Sequence, residues 1–423
     1  MQSLWLSVAF AAALLLSVAL KFWLATRQMR HVAAHRGVVP AAFAASVSLA
    51  AHQKAADYTL VRSRFGLVTL AFGAVVLLGW TLLGGLDALN AAVRDAVQPR
   101  FGNMAYQLAL LTAAGLIGAL LDAPLEVYNT FRIEQRFGFN RTTWQLYLAD
   151  AAKGLAVAAL IGLPLAALVL WIMAGAGAWW WLWAWFAWVG FQLLMLVVYP
   201  TLIAPIFNKF EPLPDEPLKA RVQALMARCG FAAKGLFVMD GSRRSAHGNA
   251  YFTGLGAAKR VVFFDTLLAR LSPAEVEAVL AHELGHFKLR HVPKRMVAIF
   301  AASLAALALL GLLAQQQWFY TGLGVAPNLA APNDALALLL FMLALPPLGF
   351  LLTPLAARVS RRQEFEADAY ACMQASGRDL ANALLKLHED NAGTLTPDPV
   401  YARFYYSHPP ASERLAALTM EPA

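Results

Sequence analysis

Charge is scarce in this chain. Only 14% of its 423 residues are Asp, Glu, Lys or Arg, roughly half the share usual in a soluble domain. That excludes a disordered chain and an ordinary water-soluble enzyme. Cysteine is scarcer still, with Cys229 and Cys372 the only two. Two are too few for a disulfide scaffold or a thiolate metal site, although a disulfide between them stays open. Any bound metal must be held by His and carboxylate side chains. There is no internal repeat and no low-complexity linker. Residues 1–3 carry no basic side chain, and the positive residues follow the first apolar run instead. That pattern predicts a retained signal anchor, not a cleaved leader.

Apolar sequence is what the chain has in excess, at 60% of residues. Seven runs are long enough to cross a bilayer: 4–25, 65–83, 105–121, 154–173, 179–204, 296–314 and 335–357. Residues 174–178 leave the fourth and fifth as a tight hairpin. Six of the twelve Trp lie within 179–188, where an interfacial belt is the reading preferred over an aromatic ligand site. Basic residues alternate across the connections. The first carries Arg27, Arg30, Arg36, Lys54, Arg62 and Arg64; the second has only Arg94 and Arg100, offset by Asp87 and Asp95. The third carries Arg132, Arg136, Arg141 and Lys153, and the fourth and sixth carry none. The positive-inside rule then predicts the N-terminus outside, with the long fifth connection and the C-terminus on the cytoplasmic side. That topology accounts for the surplus of 34 Lys+Arg over 25 Asp+Glu, so no nucleic-acid partner is expected.

The expected organisation is four segments: 1–204 with five spans, 205–295 soluble, 296–357 with two spans, and 358–423 soluble. In the first soluble segment a helix is predicted over Glu216–Cys229, ended by Gly230. Short strands are expected at 235–240, 249–253 and 260–265, the last two joined through Gly254 and Gly256. Ser272-Pro273-Ala274-Glu275 is a helix start with a capping box. The helix it opens carries Val276, Val279 and Leu280 at apolar spacing and is expected to reach Arg290 or beyond.

That helix contains His282-Glu283-Leu284-Gly285-His286. Residues four apart share a helix face. Two imidazoles so placed can hold one Zn²⁺, with Glu283 one position along and able to act on a water beside it. The bland alternative is a capped amphipathic helix with incidental histidines. An open catalytic position needs a third protein ligand, and no further His follows at metzincin spacing. The run 361–371, RRQEFEADAYA, supplies carboxylates. The sixth and seventh spans form an out-and-back hairpin, which returns this run to the membrane face where His286 sits. Glu364 and Asp368 are four apart. One can bind the ion while the other takes the free N–H of a ligand His; Glu366 points elsewhere. The alternative there is a solvated charge cluster with Arg361 and Arg362. His291 is read as an interfacial side chain, His388 as solvated, and His31, His35 and His52 as surface.

Together these motifs resemble the M48 metallopeptidases. Further runs narrow the resemblance to the integral-membrane CAAX prenyl protease type: FRIEQRFGFN at 131–140, FNKFEPLP at 207–214, HGNAYFTG at 247–254, and YSHPP at 406–410 leading to ERL at 413–415. Gly248 stands where that family often has Ser. The resemblance implies a mainly α fold, with seven membrane helices around a chamber and a zincin-like α+β unit, a small sheet plus the HExxH helix, at the inner membrane face. It implies one zinc per chain on His282, His286 and Glu364, with Glu283 as general base and Asp368 as the supporting carboxylate. Asn249, Ala250 and Tyr251 would lie on an edge strand that pairs with substrate. His408 and Arg414 would sit near the scissile carbonyl. The implied activity is endopeptidase cleavage near the C-terminus of a prenylated (CAAX-type) or other membrane-associated peptide. Beside the bilayer, the expected partner is a peptide or protein, with or without a lipid. An HtpX-like quality-control protease is the nearest alternative. A transporter is the non-enzyme alternative, and it would need ionisable residues within the spans; Lys21 is the one clear case. A bacterial source would place the protein in the inner membrane.

Overall fold

The structure, a computed structural model, describes residues 1–232, 235–253 and 260–420. The turn expected through Gly254 and Gly256 lies outside the described residues. In lipid every backbone N–H and C=O must be paired within the chain, so apolar runs of this length form helices. In chain order, five long helices come first: α1 (Gln2–His35), α2 (Leu49–Trp80), α3 (Gly85–Tyr128), α4 (Trp144–Gly175) and α5 (Trp180–Val198). Then follow α6 (Glu216–Cys229), α7 (Pro273–Lys288), α8 (His291–Leu313) and α9 (Asp334–Gly349). The turn Phe350–Leu352 carries α9 into α10 (Thr353–Gln374), and α11 (Gly377–Asp390), α12 (Pro399–Tyr405) and α13 (Ala411–Met420) complete the chain. Among the described residues, seven helices are long and apolar enough to cross a membrane.

These helices outrun the apolar runs. α2 begins at Leu49, where the Ser48 hydroxyl accepts from the Ala51 N–H at 3.1 Å. α3 is bent at Gly102, whose φ of +80° no side chain would tolerate cheaply. A helix packed along one face buries a stripe of at least about 100°. None of the most apolar window of α2 is buried, and only 6% of that of α3. These two spans therefore have little protein packed along their apolar lengths. At the end far from α7 the spans converge on a core that includes Phe10, Tyr106, Leu110, Leu170, Leu310 and Leu336. Trp180 is buried in that core, while Trp179 and Trp183 are exposed, so the tryptophan run is only partly a belt.

The other end is capped by a compact unit with its own core. Its four strands are β1 (Phe210–Pro212), β2 (Leu236–Met239), β3 (Ala250–Thr253) and β4 (Arg260–Phe264), in the order β1-β2-β4-β3. β2 and β4 are parallel; the other pairs are antiparallel. β3 is thus an edge strand, registered on β4 by Tyr251 opposite Val262. α6 starts on the Asp215 cap and stops at Gly230 with φ +67°, as its sequence predicts. The Ser272–Glu275 capping box forms at the start of α7. Arg244 ties this unit to the bundle, donating to both carboxylate oxygens of Asp150 in α4 at 2.8 and 3.0 Å. No disulfide joins Cys229 and Cys372, so the pairing left open by the sequence does not form.

Candidate active site

α7 and α10 cross closely because Gly285 has no side chain. A Cβ there would stand 3.0 Å from the Ala367 Cα and 3.2 Å from the Tyr370 Cβ. The contact sets the HExxH face of α7 against the Glu364 face of α10. His282 Nε2 and His286 Nε2 are 3.3 Å apart. Glu364 reaches them at 3.5 Å (Oε2 to His282) and 3.4 Å (Oε1 to His286). One ligand atom from each residue lies within 4.8 Å of the other two. Glu364 Oε2 is buried and accepts no hydrogen bond among the described residues, a costly state for a carboxylate oxygen unless a cation claims it. Two imidazole nitrogens and a carboxylate converging in this way fit a single metal ion.

Asp368, one turn along, holds the outer side of the cluster. Its Oδ1 lies 2.8 Å from His282 Nδ1, which leaves Nε2 to face the shared point. The Arg414 guanidinium donates to Asp368 through Nε at 2.8 Å and again through Nη2. Arg414 is buried, as is Asp368. Of the two carboxylates, Glu364 faces inward to both imidazoles and Asp368 lies behind His282. Burial works against a charged His282, but Asp368 and Glu364 outweigh it and push its pKa up to about 9. Burial also pushes the Glu283 carboxyl up, against the pull of His282 and His286.

Glu283 shares a cavity of about 330 Å³ with His282, Glu364, Asn249, Ala250, His408 and Arg414. His408 is the exposed member, its Nε2 3.5 Å from Glu364 Oε2. Tyr251 lies next along β3, with its ring toward Phe264. The Asn249 side chain folds onto its own strand, Oδ1 accepting from the Ala250 N–H at 2.8 Å.

Three histidines are not where the sequence puts them, and Glu366 has a partner that the sequence did not show. His291 is buried, not interfacial, and its Nδ1 lies 2.9 Å from His286 Nδ1. Glu366 faces away from the metal cluster but is not idle, standing 3.1 Å from His291 Nε2. The cause is a break after Lys288. Arg290 adopts a left-handed φ of 57°, so α7 ends short of the expected Arg290 and the chain turns back toward His286. Pro293, in the first turn of α8, was the available signal for a new helix start. His388 is not solvated: it lines the site cavity, its Nε2 is 3.2 Å from the Thr394 carbonyl oxygen, and burial lowers its pKa. His52 is buried, with its Nε2 2.9 Å from the His35 carbonyl oxygen.

The chain also matches known proteins along nearly its whole length. Residues 28–209 match the family model "CAAX prenyl protease N-terminal, five membrane helices", and residues 212–421 match "Peptidase family M48". The chain is 33% identical to CAAX prenyl protease 1 homolog of Arabidopsis thaliana, over 90% of this chain and 91% of the relative. It is 32% identical to the Homo sapiens homolog, over 97% and 95%. The crystal structure of S. mikatae Ste24p superposes with a TM-score of 0.90 at 29% identity, covering 98% of this chain and 99% of that one. With both halves matched in order, and relatives aligned along nearly their full length, this chain belongs to peptidase family M48 and is a multi-pass membrane metallopeptidase.

Proposed function

We propose that the chain is a zinc-dependent endopeptidase that cleaves near the C-terminus of prenylated (CAAX-type) or other membrane-associated peptides. The observation that carries this reading is the convergence of His282, His286 and Glu364 beside Glu283 and an edge strand. Tetrahedral zinc with bonds of 2.0–2.1 Å sets its ligand atoms about 3.3 Å apart. The separations of 3.3–3.5 Å support zinc held by these three residues. When bound, zinc lowers the pKa of a water and polarises the scissile carbonyl. Glu283 takes a proton from the attacking water and returns it to the leaving amine. Asp368 keeps the proton of His282 on Nδ1, and Arg414 keeps Asp368 ionised. His408, exposed at the cavity edge, stabilises charge on the carbonyl oxygen. The free edge of β3, over Asn249, Ala250 and Tyr251, adds the substrate as a further strand.

Segments 205–295 and 358–423 act as one catalytic unit across the membrane hairpin. A chamber among the spans, as the family resemblance implies, takes the apolar or lipidated part of the substrate. The basic connections support the N-terminus outside and the catalytic unit in the cytoplasm. The test combines metal analysis with cleavage of a farnesylated C-terminal peptide by the purified protein. Glu283→Ala should retain one zinc per chain and lose turnover. Unchanged turnover would remove Glu283 from the mechanism.

A further inference from the structure

A second cavity, of about 530 Å³, adjoins the first at the site-side ends of α1 and α2. Its wall contains two cations, Lys21 and Arg62, and no carboxylate. Lys21 stands over the Phe350 ring at 4.6 Å and makes no ion pair among the described residues. Arg62 donates to the Tyr58 hydroxyl at 3.3 Å, and that hydroxyl donates onward to Glu134 at 2.7 Å. A guanidinium has five N–H groups, so Arg62 keeps donors for the cavity. Tyr401 and Tyr405 complete a wall suited to a small organic anion.

The position of this wall identifies the anion. Asn391 lines both cavities, and its Oδ1 lies 2.9 Å from His247 Nδ1. His247 leads directly into β3. A peptide added antiparallel to β3 runs its C-terminal end back toward His247 and Asn391, and so toward Arg62 and Lys21. Three extended residues beyond a cleaved bond span about 10 Å. We infer that this cavity binds the free C-terminal carboxylate of the substrate, with Arg62 and Lys21 as the recognising cations. The inference rests on the peptidase reading above and gives it a basis for selecting chain ends. A lipid phosphate has related chemistry, but the junction with the metal-site cavity at Asn391 favours the peptide.

The test uses the full-length protein in neutral detergent micelles and two farnesylated peptides, identical except for a C-terminal acid or amide. Wild-type protein should prefer the acid by about tenfold to a hundredfold in kcat/KM, chiefly through KM. Arg62→Gln with Lys21→Met should abolish the preference while leaving amide cleavage unchanged, which also shows that the variant is folded. Arg62→Lys should keep part of the preference. Equal cleavage of acid and amide by wild type would overturn the carboxylate site while leaving the peptidase reading intact. An equal loss on both peptides in the double variant would also overturn it, and recovery on adding anionic lipid would assign the cavity to a headgroup. Cleavage of neither peptide by wild type would remove the substrate reading and this inference with it.

Discussion

His286 and His291 face each other with their Nδ1 atoms 2.9 Å apart, and only one of those atoms can carry the proton. If His286 offers Nε2 to a metal, its proton sits on Nδ1 and is donated to His291. His291 is then protonated on Nε2, which lies 3.1 Å from Glu366. Glu366 can only accept when ionised, so the carboxylate fixes both tautomers. Partners behind metal ligands are commonly worth 10- to 100-fold in affinity. His291→Ala should weaken zinc retention by about that factor, read by chelator competition. Zinc affinity equal to wild type would reduce the triad to packing.

The helix crossing at Gly285 gives a second expectation. A methyl group there meets the Ala367 backbone at 3.0 Å and 3.1 Å, and backbone yields less readily than a flexible side chain. Overpacking of this kind costs about 1–3 kcal/mol. Because α10 also carries Glu364, the displacement falls on the metal cluster. Gly285→Ala should lower both the melting temperature and the zinc content after dialysis. A variant that melts lower yet holds zinc as wild type does would uncouple the crossing from the site.

Much of this site was legible before any coordinates. His282 and His286 share a face by spacing alone, and the membrane hairpin returns Glu364 to the same end of the molecule. Ser272 and Gly230 mark helix ends by residue type. The Arg290 break left only an indirect mark, Pro293 in the first turn of the next helix, because a left-handed turn at a non-glycine residue has no compositional signal of its own; with it went the roles of His291 and Glu366. A chamber among the spans is likewise not legible in composition, since side chains facing lipid and side chains facing open space are equally apolar. It entered only through the family resemblance. His52 was misplaced because a single buried imidazole satisfied by a backbone carbonyl looks like any surface His in sequence.

Asp398 offers a pH test well away from the metal. It accepts from Arg27 of α1 at 3.0 and 3.3 Å and caps α12 through the Val400 and Tyr401 N–H groups at 3.0 and 2.9 Å. Burial pushes its carboxyl up, but Arg27 and the two amides outweigh that and hold it below the usual value. A depressed native pKa stabilises the fold above the unfolded value of about 3.9, and the contribution is lost as pH falls through the native value. Asp398→Asn keeps the cap and removes the charge. It should therefore melt below wild type at pH 7, with the gap closing as pH drops below about 4. A gap independent of pH would mean that the charge is not what matters.

Arg414 and His408 both approach Glu364, at 3.8 and 3.5 Å, yet their surroundings predict different defects. Arg414 is 7% exposed and commits its fork to Asp368. Removing it strands a buried carboxylate, at a cost of about 3–5 kcal/mol. Arg414→Ala should accordingly lower the melting temperature and zinc affinity together, and Arg414→Lys should recover only part because it cannot pair in two-point fashion. The His408 side chain is 65% exposed and makes its closest polar contact to the neighbouring Ser407 hydroxyl at 3.0 Å. Nothing in the core depends on it. His408→Ala should leave melting and zinc content as in wild type and lower kcat by about 10²- to 10³-fold, as loss of an oxyanion donor does elsewhere. Measuring melting, zinc and kcat on both variants separates the roles, because a donor to the carbonyl oxygen and a clamp on Asp368 cannot produce the same pattern. If Arg414→Lys kept full stability and zinc while losing kcat, the assignment would reverse, with Arg414 acting on the substrate and His408 left at the rim.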